Sequence, residues 1–262
     1  MFFFTVEFTY IFLSFPFYVY ILFERPSYKI TGLPTLNSRA SSLFGKALIG
    51  AEYLFFRSGP MSMAPSQLGA FAYSSPSQSR PNLEFHVQPL SLERFGVPLH
   101  TYDALTASVC NLRPTSRGSI HINSTDPNAM PDISPNYLST EEDRRVAVES
   151  LRLVRRIVME SKAFSPYNPV EVKPGALVTT DSELIAAAGD LGTTIFHPVG
   201  SCKMGVQSDP LCVLSSDLKV RGIGALRVVD ASVMPQITSG NTAAPTMALA
   251  ARAANLILRE RK

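Results

Sequence analysis

Proline constrains this chain more than any other residue type. Twenty prolines stand among 262 residues. Each one locks a backbone angle and removes an amide donor, so the first half is punctuated into strands and loops rather than long helices. The length allows one large domain or two small ones. An apolar content of 45% with 17% charged residues supplies a real core and excludes a disordered chain. The 24 basic and 21 acidic side chains leave a net charge of +3 with no basic run, which argues against a nucleic-acid partner.

Between the breaks the patterns are local and readable. Asn82–Pro89 alternates as a half-buried strand, with Leu83, Phe85 and Val87 on one face and His86 on the other, where it reads as a surface or lining residue. Ala104–Asn111 and Ser119–Asn123 read as further strands, joined by the turn from Arg113 to Gly118. Arg113 and Arg117, which flank that turn, read as solvated charges. Short strands joined by turns predict an antiparallel sheet with one face covered and one left to line something.

Helices are fewer. Lys46–Phe56 reads as a short one, with Leu48, Ala51 and Phe55 on one face. Ser139-Thr-Glu-Glu142 is a capping-box start for a helix reaching Ser161, which carries Val148, Leu151, Val154 and Val158 at helical spacing. Arg144, Arg145, Arg152 and Arg156 fall elsewhere on that wheel as its solvated face. A second box, Thr180-Asp-Ser-Glu183, opens a helix to about Ala188. Ala225–Val229 reads as an apolar strand ended by Asp230, and Pro245 as the first residue of a helix running to about Arg259.

The first 23 residues stand apart. Met1–Phe23 holds 18 apolar or aromatic residues, with Glu7 the only charge. That is about the length of a membrane-spanning helix. Pro16 interrupts it, Glu7 is costly in a bilayer, and the basic start and cleavage site of a secretory signal are missing. Membrane anchor, signal and foreign sequence all stay open for this segment. The three cysteines, Cys110, Cys202 and Cys212, show no C-x-x-C spacing, so a disulfide framework is not expected and a reducing, cytoplasmic setting is favoured. Cys202 and Cys212 could meet His197 on a metal, but structural zinc needs four ligands; buried thiols are the simpler reading, and no metal site is expected.

The last third carries the chemistry. His197-Pro-Val-Gly-Ser-Cys-Lys-Met-Gly205 is followed by Leu226-Arg-Val-Val-Asp-Ala-Ser-Val-Met-Pro235 and then by Ser239-Gly-Asn-Thr-Ala-Ala-Pro-Thr-Met247. His197 ends a short extended segment where the chain changes direction, a position functional side chains often occupy. Alone, His197 would pass for a core histidine and Asn241 for a turn residue. Together the segments read as a site where one imidazole and one amide meet a ligand.

These joined motifs resemble the glucose–methanol–choline (GMC) flavoprotein oxidoreductases, especially the bacterial alcohol- and choline-dehydrogenase-like members. Thr31–Asn37, Phe56–Ser62 and Asn111–Gly118 are similar to family segments as well, and the likeness spans roughly Tyr28 to Arg259. The resemblance implies FAD-dependent oxidation of a small-molecule alcohol, with the electron acceptor undefined. His197 would take the hydroxyl proton and Asn241 would hold the same hydroxyl. Asp230 and Ala231 would contact the ribityl and pyrophosphate region of FAD. The helix opened by Pro245 and Thr246 would aim its amides, with Asn241 close by, at the flavin.

The implied fold is α+β: a mainly antiparallel sheet with flanking helices, the GMC substrate domain, plus the returning C-terminal part of the FAD domain. Residues 28–193 would form the first part and 194–262 the second, with 1–27 a hydrophobic segment of doubtful origin. The family's opening G-x-G-x-x-G strand–turn–helix is absent, so the N-terminal dinucleotide-binding unit is missing and the chain corresponds to the C-terminal half. Phe2–Phe23 in place of mid-protein sequence points to a truncated or misassembled gene. The alternative expectation is a catalytically silent fragment or binding module without FAD, membrane-attached through residues 1–23.

Overall fold

The computed structural model of the protein describes residues 15–64 and 66–260. They form β1 (Phe15–Tyr18), β2 (Leu22–Glu24), β3 (Ser27–Lys29), α1 (Leu36–Arg39), α2 (Leu43–Phe56), β4 (Leu68–Ala72), β5 (Leu83–Gln88), β6 (Ala104–Asn111), β7 (Gly118–His121), β8 (Asp132–Ser134), α3 (Glu141–Glu160), β9 (Val170–Lys173), α4 (Asp181–Leu191), β10 (Thr193–Thr194) and α5 (Ala243–Glu260). Short 3-10 turns lie at Pro60–Ser62, Ser165–Tyr167 and Ala231–Val233. The chain divides into two compact units, and neither is continuous in sequence. Among the described residues, one unites residues 22–111 with 144–193; the other unites residues 15–21, 112–143 and 194–260.

The first of these, the sheet unit, is organised around β6. On one side β6 pairs with β5, which pairs in turn with β4, all antiparallel. On its other side Leu22–Lys29 runs as one interrupted strand: β2 meets β6 at Cys110 and Val109, and β3 meets it at Thr106 to Ala104. Pro26 stands at the break, its carbonyl taken by the Ala107 amide at 3.1 Å. β9 adds to β3, and β10 to β2.

Alternation sorts the two faces of this sheet. Tyr28, Leu83, Phe85, Leu105, Ala107 and Val109 turn to one side and pack with Val146, Val154 and Val158 of α3 in a buried core. Val148, Leu151, Val154 and Val158 are all buried, as their spacing predicts. The opposite face carries Glu84, His86, Gln88, Thr106, Ser108 and Cys110, cross-strand neighbours in register. His86 therefore lines the second face, as the alternation implies. That face is more enclosed than a half-buried strand predicts, since Glu84, Gln88, Thr106, Ser108 and Cys110 are all buried.

Helix ends follow capping chemistry. Thr180 makes the full box with Glu183 at the start of α4. At the start of α3, Thr140 Oγ1 accepts from the Asp143 amide at 3.3 Å. The outward arginines of α3 are partly engaged, Arg145 with Glu149 at 2.8 Å and Arg152 with Asp181 at 2.6 Å. The neighbouring Arg155 grips Glu171 through two nitrogens, at 2.8 and 3.1 Å. α2 begins three residues earlier than the sequence predicts, and none of its residues is buried; Leu48 is 55% and Phe55 74% exposed, so the expected face covers nothing within the unit.

The second unit is mostly irregular. It holds a three-stranded sheet, β1-β7-β8. Its core gathers Leu214, Leu218, Val220 and Val233, with Ala253 of α5, on turns and isolated bridges rather than long strands. Ala225–Val229, expected as a strand, contributes one bridge residue, Arg227, opposite Lys219. A positive φ of 58° at Ala225 and a turn before it prevent an extended run.

From Phe15 onward the hydrophobic N-terminal segment is strand, not helix. β1 pairs with β7, Val19 bridges Val199, and Tyr18, Val19, Ile21 and Phe23 are buried. That corrects the membrane-anchor reading for this stretch. Among the described residues no helix is long and apolar enough to cross a membrane. Met1–Ser14 lie outside the described residues.

Candidate active site

The irregular unit holds all three motif segments, and backbone hydrogen bonds stitch two of them together. His197 follows Phe196, a non-glycine residue at φ 63°, which turns the chain sharply after β10. Two residues on, Val199 exchanges amide bonds with Val19 at 2.9 and 3.1 Å. Gly200 sits at φ 95°, which favours glycine. The Gly200 and Cys202 amides both donate to the Ser232 carbonyl, at 3.0 and 3.1 Å, and the Met204 amide donates to Val233 at 2.9 Å. The histidine loop is thereby fixed against the Asp-Ala-Ser turn.

Side chains complete that frame. Lys203 Nζ meets Asp209 Oδ2 at 2.8 Å, and the Cys212 thiol donates to the same oxygen at 3.1 Å. Hydrogen bonds from Lys203, Cys212 and the Leu211 amide pull the Asp209 carboxyl down to about 2. Gly205 closes the loop because a Cβ there would lie 2.1 Å from Cys212 Sγ. The motif's Lys-Met-Gly is thus explained by packing.

Asp230 caps its own turn. Its Oδ1 accepts from the Ser232 amide at 2.8 Å and from the Ser232 hydroxyl, while the residue itself is exposed. Ala231, next to it, is partly buried. Cys202 is also partly buried, and burial raises its thiol. Among the described residues His197, Cys202 and Cys212 do not converge on one point; the only trio of this kind is Glu84, His86 and Cys110 of the sheet unit, within 4.8 Å of one another.

The third segment reaches the first through Thr242. Thr242 is 6% exposed, and its Oγ1 lies 3.1 Å from His197 Nδ1. Its carbonyl accepts from the Thr246 amide at 3.0 Å and from the Thr246 hydroxyl at 2.6 Å, anchoring the first turn of α5. Asn241, one residue before, is exposed and makes no hydrogen bond among the described residues. α5 starts at Ala243, so Pro245 is its third residue rather than its first. A proline still fits there, since the first turn needs no amide acceptors within the helix.

Sequence reasoning named His197 and Asn241 but missed what couples them. Thr242 was visible only as part of a motif. Arg113, read as a solvated charge, donates from Nη2 to Ser239 Oγ at 2.7 Å and so braces the turn that carries Asn241. Arg117 likewise turns inward, its Nη1 donating to the Pro114 and Ser116 carbonyls at 2.8 and 2.9 Å. A contact spanning 126 residues leaves no periodic trace in a sequence.

Comparison with known proteins decides the family. A family model described as GMC oxidoreductase matches residues 114–250, which include the whole stitched loop and the start of α5. The chain belongs to the GMC oxidoreductases. It is 38% identical over 237 residues to a Pseudomonas putida protein named alcohol dehydrogenase [acceptor], covering 88% of this chain and 42% of that one. It is 40% identical over 210 residues to the oxygen-dependent choline dehydrogenase of Staphylococcus saprophyticus, covering 80% of this chain and 37% of the relative. The chain thus spans about two-fifths of the length of these curated relatives.

Solved structures of GMC oxidoreductase relatives share the fold. A formate oxidase variant from Aspergillus oryzae, in a study of FAD modification, superposes with a TM-score of 0.80 at 23% identity, over 93% of this chain and 47% of that one. The pyridoxine 4-oxidase from Mesorbium loti gives 0.74 at 22% identity, over 92% and 42%. The α+β architecture with its antiparallel sheet is therefore that of this family.

Proposed function

We propose that this chain carries proton-transfer and cofactor-contact residues of an FAD-dependent oxidoreductase acting on the CH–OH group of a small alcohol. The observation that carries the reading is the coupling of His197 Nδ1 to Thr242 Oγ1 at 3.1 Å, one residue from an exposed asparagine and one from the start of a helix. The alcohol and choline dehydrogenase names of the relatives supply the substrate class.

The residues present fit FAD. Ala243 and Ala244 open α5 and are exposed, and the amides of a helix's first turn have no intrahelical acceptor. Their methyl side chains leave the backbone open to close approach, and the positive end of the helix favours an electron-rich ring. Asn241, Pro245 and Thr246 would flank that contact, and Asp230 and Ala231 would contact the ribityl and pyrophosphate part. Bound FAD supplies the hydride acceptor.

The chain's own residues handle the proton. With Nδ1–H donated to Thr242 Oγ1, the imidazole is held in the tautomer whose Nε2 carries a lone pair. That nitrogen takes the hydroxyl proton as the carbinol carbon is oxidised, a general-base role worth about 10²–10⁴ in rate. The Asn241 carboxamide, unspent on protein partners, hydrogen-bonds the same hydroxyl and orients it. Rigidity of the base comes from the stitched loop behind it.

The test uses the whole chain. It is incubated with FAD, desalted, and its visible spectrum is recorded, followed by dye reduction with simple alcohols and choline. Retained flavin absorbance and alcohol-dependent dye reduction support the reading. Retained flavin with turnover that survives loss of the His197 imidazole would remove His197 from the mechanism, and a colourless protein would remove the cofactor contacts assigned to this chain.

A further inference from the structure

The sheet unit contains a buried cation that its own residues leave unsatisfied. Arg25 falls between β2 and β3, and alternation sends it to the face opposite Glu24. Glu24 turns toward α3, where Ser150 Oγ donates to its carboxyl at 2.6 Å. Arg25 is 9% exposed, and its Nε has no hydrogen-bond partner among the described residues. The Phe95 ring stands over the guanidinium, 4.0 Å from Cζ to the centroid. Burial alone pushes the guanidinium below its usual range, with no acidic neighbour acting in the other direction.

A second orphan lies beside it. Ser27 is 4% exposed, and its Oγ also lacks a hydrogen-bond partner among the described residues. Ser27 pairs with Thr106 across the sheet. Arg25, Ser27, Thr106 and Phe95 all line one cavity of about 340 Å³. Lys173 and Glu93 stand at the same cavity and neutralise each other as an ion pair. Arg94 and Asp190, both exposed, also line it and add one charge of each sign. What remains is the charge of Arg25.

Buried charges and hydroxyls are costly unless paired, and a guanidinium's planar fork matches an oxyanion's spacing. We infer that this cavity is a binding site for a compact oxyanion, a carboxylate or a phosphate, held by the Arg25 fork and the Ser27 hydroxyl with Phe95 over the cation. The volume exceeds that of the anion itself, so the ligand has room for a small organic body beside Phe95. The site lies wholly within the sheet unit and does not depend on the alcohol-oxidising role.

Isothermal titration calorimetry of the whole chain at constant ionic strength tests this, with sodium acetate in one series and sodium phosphate in the other. One saturable site is expected for at least one anion. Tighter acetate binding points to an organic carboxylate, and tighter phosphate binding to a phosphorylated compound. Arg25→Gln should weaken binding about tenfold or more, and Ser27→Ala by several-fold with an unchanged circular dichroism spectrum. Arg156→Gln, an exposed charge on α3, should leave affinity unchanged. Absence of saturable heat with both anions overturns the proposal. So does affinity that survives Ser27→Ala and Arg25→Gln alike; should Arg25→Gln fail to fold, unchanged affinity in Ser27→Ala decides against the site.

Discussion

The two units hold themselves together by different physics. In the sheet unit, side chains at period two and at helical spacing meet in one core, where Leu83, Val109 and Val154 are at most 1% exposed. In the irregular unit, the core residues sit on turns, and order comes from backbone bonds such as those converging on Ser232 and from Lys203 with Asp209. The candidate site residues His197, Asn241 and Thr242 occupy the second kind of structure. A loop tied by amide bonds can present an imidazole at an angle no regular element offers, whereas a sheet supplies a wall.

The largest effect expected from this contrast is on rate. Under the proposed function the ring is a base and not a brace, so His197→Ala should lower alcohol turnover about 10²–10⁴-fold while flavin content stays constant. Flavin lost together with activity would mean that the imidazole supports the fold of the loop. Steady-state kinetics with a flavin spectrum on each preparation separates the two.

Next comes the core of the sheet unit. Leu83 is fully buried against α3's valines, so Leu83→Ala should cost about 2–5 kcal/mol in urea unfolding. An unchanged midpoint would show that this core does not dominate the chain's stability.

The units also differ in how they treat a carboxyl: Glu24 is buried, whereas Asp209 is only partly covered. Desolvation raises the Glu24 carboxyl to about 8, against the bond from Ser150. The folded state then keeps a proton that the unfolded chain sheds above about pH 4.3. Its contribution is full below that value, falls as pH rises, and is gone above about 8. Over the window the slope approaches about 1.4 kcal/mol per pH unit. Glu24→Gln should flatten it, and a slope unchanged in that variant would remove Glu24 as the cause. Asp209 behaves oppositely: its contribution is present above about pH 4 and is lost as pH falls toward about 2. Acid unfolding of Asp209→Asn should accordingly lose pH dependence in that lower window.

The smallest effect probes a helix end. Thr180→Ala removes the cap of α4 and should cost about 1 kcal/mol, read as a small shift of the urea midpoint. A shift as large as that of Leu83→Ala would mean that α4 is more than a flank of the sheet.

Much of this was legible in the sequence, and the legible part is local. The alternation of Asn82–Pro89 gave the strand and the direction of His86, and the valine spacing gave α3, because burial of one face imposes a period. Three clusters of small and polar residues were readable as motifs, and sharp turns and close approaches demand Gly200 and Gly205 within them. Where one segment had no period of its own, the reading failed. Ala225–Val229 is apolar but is held by neighbouring turns, not by strands. The apolar face of α2 has the right spacing and nothing within its unit to cover it.

By itself the sequence determined β5, β6, α3 and the start of α4, and it singled out His197 and Asn241 as candidates, because each of these readings depends on neighbours a few residues away. Tertiary structure alone decided that Thr242 meets His197, that Arg113 braces Ser239, and that Leu112–Asp143 joins residues 194–260 in one unit. It also turned the stretch after Phe15 from an apparent membrane segment into paired strands. These are contacts between distant segments, set by which hydrogen bonds and apolar faces remain to be satisfied once local structure has formed.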